Sequence, residues 1–112
     1  MTATSFPSEW LRGVLEICVL KVIADGPTYG YAITEVLAKS GFGAVKGGTL
    51  YPLLSRLEQS GLVEVEWRAG EGGPGRKYYR ITREGLRTQR ASAASWRRFA
   101  QTATDFLDRP LP

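Results

Sequence analysis

Arg68, Arg76, Lys77 and Arg80 crowd one short stretch with positive charge, and Tyr78 and Tyr79 stand among them. Between the first two of these cations lies the run Gly70-Glu71-Gly72-Gly73-Pro74-Gly75. Guanidinium and ammonium groups so placed suit phosphate contact, and a glycine tip lets the backbone come close to a phosphate. A second group precedes them: Thr49, Pro52, Arg56 and Gln59, small or hydrogen-bonding side chains at helical spacing. A slim polar face of that kind fits the major groove of DNA. Catalysis is poorly provided for. The chain contains no histidine, which removes the usual general base and the commonest metal ligand. Nor is there a carboxylate–nucleophile constellation, so the reading is of a non-enzyme with no metal and no cofactor.

The second group needs a helix to carry it. Leu50, Leu53, Leu54 and Leu57 recur on the opposite face, the pattern of a helix docked on a core. Thr49 reads as its N-cap, and Pro52 as a first-turn residue whose missing N–H breaks no helical bond. Gly61 reads as its left-handed C-cap, with Leu62 folding back onto the helix. After Leu62 the period turns from helical to alternating. Val63, Val65 and Trp67 alternate with Glu64, Glu66 and Arg68, a half-buried strand, and residues 76–81 read as the return strand. Two strands and a glycine tip directly after a helix-turn-helix make a wing.

Upstream, Ser8 reads as the N-cap of an apolar helix over residues 10–24, stopped by Asp25-Gly26-Pro27. Thr28 opens a second helix to about residue 40, with Ile33, Val36 and Leu37 turned inward and a tight glycine-rich connection over 41–48. Downstream, Thr82 caps a long last helix. Leu86, Ala93, Trp96, Ala100, Ala103, Phe106 and Leu107 recur there at three- and four-residue spacing, with arginines on other faces. Such an appended helix either pairs with a copy of itself or packs back on residues 10–24 of its own chain.

At 112 residues, with 43% hydrophobic and 11% aromatic content, the chain can bury one domain's core. Its net charge of +4 is unevenly spread. Residues 1–67 hold seven acidic and five basic side chains, a net of −2, and residues 68–112 hold ten basic and four acidic, a net of +6. A polyanion partner reached through the second half fits that asymmetry; a solvated basic surface is the plainer reading. Cys18 is a single cysteine within an apolar run, most simply a small core residue, and a cytoplasmic setting is expected. No apolar stretch has the length of a transmembrane helix. The expected fold class is mainly α with a small β-hairpin wing. Its parts are a flexible arm (1–7), a winged helix-turn-helix DNA-binding domain (8–82), a C-terminal dimerisation helix (83–107) and a tail (108–112).

From about Leu11 to Gly85 the chain resembles the PadR family of transcriptional regulators. The blocks that carry the resemblance are Gly13-Val14-Leu15-Glu16, Gly26-Pro27-Thr28-Tyr29-Gly30-Tyr31-Ala32-Ile33 and Gly48-Thr49-Leu50-Tyr51-Pro52-Leu53-Leu54. They continue in Arg56-Leu57-Glu58, Gly61-Leu62-Val63, Gly75-Arg76-Lys77-Tyr78-Tyr79 and Ile81-Thr82 with Glu84-Gly85. The resemblance implies a winged-helix homodimer that represses transcription at a double-stranded DNA operator. The single C-terminal helix is similar to the shorter subfamily, some members of which bind flat aromatic compounds at the dimer interface. Gly47 departs from the family, which commonly has Ser there, so the following helix is expected to be capped less firmly.

Carried over residue by residue, the family's DNA-facing positions fall on Tyr29, Tyr31, Gly48, Thr49, Tyr51, Arg76 and Lys77. Tyr31 and Tyr51 also read as core aromatics with one polar end. Arg56 reads either as a bidentate guanine contact or as a structural partner of Glu58 and Ser60. Trp96 reads as packing area at a dimer interface, or as the stacking plate of a planar aromatic effector site with Leu15, Glu16, Ala93, Arg97 and Ala100 around it. The competing function, a protein-interaction winged helix without sequence-specific DNA binding, lacks a reason for the basic wing.

Overall fold

The computed structural model describes residues 6–70 and 73–112. They form α1 (Ser8–Arg12), α2 (Leu15–Ala24), α3 (Gly30–Leu37), α4 (Gly47–Gln59), β1 (Val63–Gly70), β2 (Gly73–Ile81) and α5 (Arg83–Leu107). The architecture is mainly helical with one antiparallel hairpin, a winged helix-turn-helix followed by a long C-terminal helix.

The core is built where the helical apolar faces meet. Leu15, Val19, Leu20 and Ile23 of α2, Ile33 and Leu37 of α3, and Leu50, Leu53, Leu54 and Leu57 of α4 are all buried, with Val45, Val63 and Tyr79 closing the gaps. Burying four leucines is worth roughly 6–12 kcal/mol against leaving them exposed. The two N-terminal glycines and internal proline of α4 cost about 5 kcal/mol in helix propensity. Packing therefore wins, and α4 forms on a sequence that is a poor isolated helix.

That helix starts earlier than its sequence suggests. Gly47 is its first residue and Lys46 its N-cap, so Thr49 is not the cap; the Lys46 carbonyl accepts from Thr49 N and Leu50 N, both at 3.0 Å. Pro52 consequently lies inside the helix, where the Gly48 carbonyl loses the N–H that residue 52 would otherwise supply. The other end matches expectation. Gly61 has φ 74°, Gly61 N donates to Glu58 O at 3.0 Å, and Leu62 N folds back to Leu57 O at 2.9 Å.

Three further expectations are corrected. The helix expected over residues 10–24 is two helices, because Val14 (φ −126°, ψ −7°) leaves helical geometry between them. Ser8 is the first helical residue rather than a cap, and the N-cap Pro7 accepts from Trp10 N at 3.0 Å. Thr28 does not open α3. It is spent on the wing instead: Thr28 N donates to Tyr79 O at 3.1 Å and Tyr79 N to Thr28 O at 2.7 Å, so α3 begins at Gly30. After Leu37 the chain loosens into one π-helical turn, Ala38–Phe42, in which Gly41 turns to φ 99°.

The strands run longer than the alternation predicts, pairing from Val63↔Ile81 to Gly70↔Gly73 with a bulge between Arg68 and Gly70. Of the expected glycine tip, Gly70 belongs to β1 and Gly73, Pro74 and Gly75 to β2, while Glu71 and Gly72 lie outside the described residues. At the hairpin base Thr82 clasps three elements. Its hydroxyl is shared between the carbonyls of Gly61 (2.7 Å) and Leu62 (3.0 Å) and accepts from Gly85 N at 2.9 Å, the expected cap. The first half of α5 then packs on α2, burying Ala93. In its second half Phe99, Phe106 and Leu107 stand exposed.

The clasp allows no side chain at Gly85. A Cβ there would sit 2.0 Å from Leu62 O and 2.9 Å from Ile81 Cγ1, and the first of these is backbone. Gly85→Ala is expected to destabilise the fold by about 1–3 kcal/mol or more through overpacking. Gly48→Ala, in open space inside α4, should stabilise it by about 0.5–1 kcal/mol. Urea unfolding of the two variants checks the contrast, and equal midpoints would show that α5 does not dock this closely.

Candidate nucleic-acid interface

The Thr28–Tyr79 bridge sets the geometry of the surface. Side chains alternate along a strand, so Val63, Val65, Tyr79 and Ile81 take the core side of the hairpin and Glu64, Glu66, Arg68, Arg76, Tyr78 and Arg80 the other. Pairing Thr28 with Tyr79 sets Tyr29 opposite Tyr78, on the outer side. The two rings meet edge to face, centroids 5.2 Å apart. The Arg76 guanidinium lies 4.2 Å over the Tyr29 ring, and that of Arg68 lies 4.3 Å over Tyr78. Each exposed cation–π contact is worth about 0.5–1 kcal/mol.

Arg76 and Lys77, adjacent in sequence, therefore point to opposite sides of β2. Lys77 shares the side of Tyr79; its Nζ stands 3.7 Å from Glu58 Oε1 of α4 and 5.6 Å from the Tyr79 ring centroid. The other wing cations have carboxylate partners too. Arg80 pairs with Glu64 at 2.8 Å and Glu66 at 3.4 Å, and Arg68 with Glu66 at 3.1 Å. Among the described residues Arg76 has no carboxylate within 4.0 Å. The pairs are solvent-exposed and worth about 0–1 kcal/mol each, so an arriving phosphate can displace them. Of the wing's four cations, Arg76 alone has no carboxylate partner among the described residues.

Tyr29, Gly30, Tyr31, Tyr51, Ser55, Arg76, Lys77 and Tyr79 line one open cleft of about 440 Å³ where α3, α4 and the wing converge. Tyr31 is 65% exposed and Tyr51 52%. Neither is a core aromatic; that place is taken by Tyr79, 4% exposed. Hydrogen bonding to the Glu35 carboxylate, one turn on, and its charge raise the Tyr31 hydroxyl above the ordinary tyrosine pKa. Burial raises Tyr79 as well, partly offset by Lys77. Gly48, Thr49 and Arg56 are exposed on α4, outside the cleft lining. Arg56 makes no ion pair among the described residues, which leaves its expected structural partner Glu58 to Lys77.

Sequence reasoning missed Gly30, Ser55 and Tyr78. Gly30 is exacting: a Cβ there would lie 2.5 Å from the Tyr51 hydroxyl and 2.8 Å from its Cε1. The glycine between two tyrosines was the visible sign, though the ring it accommodates comes from another helix. Ser55 could be found from Tyr51, one turn before it on the same polar face.

A second, apolar cleft of about 620 Å³ lies between α2, the Ala38–Phe42 turn and α5. Of the six residues expected around an effector, Ala93, Trp96 and Arg97 line it, together with Ile17, Cys18 and Phe42. Leu15 is buried in the core at 2% exposure, and Glu16 and Ala100 lie outside the lining. Cys18 is half-buried, and burial raises its thiol pKa, in keeping with a packing role.

Residues 19–91 match the Transcriptional regulator PadR-like family. The chain is 38% identical over 77 residues to the transcriptional regulator Rv3488 of Mycobacterium tuberculosis, covering 69% of this chain and 70% of that one. The solved structure of a PadR family transcriptional regulator from Eggerthella lenta is 41% identical, with a TM-score of 0.84 over 92% of this chain and 89% of the other. That of a PadR-like transcriptional regulator from Bacillus cereus is 38% identical, with a TM-score of 0.80 over 91% and 99%.

The contact of Gly30 with Tyr51 is testable as a pair. Gly30→Ala should cost about 1 kcal/mol in the native background and become neutral or stabilising once Tyr51→Ala has removed the ring. Thermal or urea unfolding of the two singles and the double measures the coupling; additive changes would mean that the ring does not lie on Gly30.

Proposed function

Because this chain belongs to the Transcriptional regulator PadR-like family, a family of DNA-binding regulators rather than enzymes, we propose how it meets its operator. Residues 8–82 act as the DNA-binding unit. The α4 face carrying Gly48, Thr49, Tyr51 and Arg56 enters the major groove, where Thr49, Tyr51 and Arg56 read base edges. Gly48 brings the α4 backbone close to the strand. Arg76 grips phosphate from the wing, Lys77 joins it by exchanging Glu58 for phosphate, and the Tyr29 and Tyr31 hydroxyls donate to the same strand. The observation that carries this reading is the cleft onto which α3, α4 and the wing all open, with exposed tyrosines along it and, at its rim, an arginine that has no carboxylate partner among the described residues.

The working unit is a homodimer held through residues 83–107. Trp96, Phe99, Phe106 and Leu107 are exposed along α5 beside the small Ala103, more apolar surface than an isolated helix end keeps in water. A two-fold axis there would present two α4 helices to half-sites about 34–36 Å apart. The regulator is a repressor, and a planar aromatic effector would bind at the α2–α5 cleft beside Trp96, changing the angle between protomers. Among the described residues no helix is long and apolar enough to cross a membrane, and the setting is the cytoplasm.

Arg76→Ala should weaken binding to all duplexes about equally and flatten the slope of log K against log salt by about 0.9 per protomer. Thr49→Ala and Tyr51→Ala should instead cost discrimination between operator and random DNA, by about 1–3 kcal/mol at the affected base pairs. Fluorescence anisotropy across a salt series separates the two. A wild-type slope in Arg76→Ala would remove the wing from the DNA.

Phe99→Ser combined with Phe106→Ser should turn the dimer into a folded monomer, since both side chains are exposed within one chain and no core is disturbed. Sedimentation with circular dichroism checks this. A variant that remains dimeric would place the interface elsewhere.

A further inference from the structure

The wing's outer face carries an ordered arrangement that phosphate contact alone does not require. Arg68 of β1 stacks on Tyr78 of β2, Tyr78 meets Tyr29 edge to face, and Tyr29 in turn carries Arg76. The four groups join three backbone segments: both wing strands and the residue that caps α3. Tyr78 is the hinge of this set, half-buried between the cation and the second ring. We infer that Tyr78 is a positioning residue for DNA binding, its ring holding Arg68 and, through Tyr29, Arg76 in the orientation that meets the phosphates.

A guanidinium stacked on a ring uses its face, and the N–H donors around its edge stay free for an anion. Stacking also removes beforehand part of the rotamer freedom that an arginine loses on gripping a phosphate. Arg76 depends on this most, since among the described residues the Tyr29 ring holds it and no carboxylate does. Arg68 is held on two sides at once, its face on Tyr78 and its Nε donating to Glu66 Oε1 at 3.1 Å, so without the ring it keeps the carboxylate. Hairpin pairing persists when Tyr78 is changed, because β1 and β2 are joined through their backbones. The ring therefore orders the cations without being needed to form the wing.

The inference rests on the DNA-binding reading above, and two readouts on the intact chain separate their failures. The first uses no DNA. Nitrogen relaxation at arginine Nε should show Arg76 more restrained than Arg83 and Arg98, with the difference lost in Tyr78→Leu and kept in Tyr78→Phe. The second is anisotropy on a mixed-sequence duplex across a salt series. Tyr78→Leu should weaken binding about five-fold, the equivalent of one exposed cation–π contact, and flatten the salt slope by up to about 0.9 per protomer. Tyr78→Phe should match the parent in both. Should Tyr78→Leu fail to fold, Tyr29→Leu removes the other ring of the pair and is read by relaxation alone, where Arg76 should lose its restraint. Arg76 as mobile as Arg98 in the parent, an unchanged salt slope in Tyr78→Leu, or a Tyr78→Phe variant as weak as Tyr78→Leu would each overturn the inference. A parent chain that binds no duplex would overturn the DNA reading, and with it this role.

Discussion

Two backbone hydrogen bonds, Thr28 N to Tyr79 O and Tyr79 N to Thr28 O, hold the molecule's working face together. A two-stranded hairpin alone is marginal in water. Here a third segment pairs with its inner edge, and Tyr79 is carried into the core between α2 and α4. The same pairing dictates which way Tyr29 faces, since side chains alternate from Thr28 onward as they do along β2. The tyrosine pair, the stacked arginines and the cleft between α3 and the wing all follow from that register. A slip of one residue would turn Tyr29 to the core side and Arg76 would lose its ring.

Charge on this surface is organised by pairing rather than by number. Glu64 and Glu66 neutralise Arg80 at the wing base and Glu58 faces Lys77, while towards the tip Arg76 is held by an aromatic ring instead of a carboxylate. Exposed ion pairs of this sort contribute little to stability. They do lower the field of the isolated protein, and a phosphate would be a stronger partner for each guanidinium than a mobile carboxylate.

The last helix does two jobs along its length. Its first half is part of the domain: Thr82 and Gly85 lock it against Leu62, and Ala93 is buried on the α2 side. Its second half begins beside α2, where Trp96 and Arg97 share a cleft with Ile17 and Cys18, and then carries Phe106 and Leu107 into solvent. Gly85 and Ala93 let the first half approach its own chain closely.

The periodicity of the leucines in α4, the alternation in β1, the Gly61 stop and the Thr82 cap were legible from the chain, because each is a local pattern within one or two turns. So was the winged-helix class, and Arg76 and Lys77 of the cleft stood out in the basic return strand, whereas Tyr29, Tyr31 and Tyr51 came from the resemblance to the family. Thr28, Thr49 and Ser8 were misread for one shared reason. A threonine or serine before an apolar run signals a cap, but tertiary contacts decide whether its backbone goes to the helix or elsewhere. Thr28 went to Tyr79, and four buried leucines drew α4 back to Gly47 despite its glycines. Which cations are paired, why Gly30 has no side chain and what Tyr78 touches depend on residues from different elements meeting at distances of a few ångströms. No spacing within one element encodes such a meeting; it exists only once the register of Thr28 on Tyr79 has brought the wing against the helices.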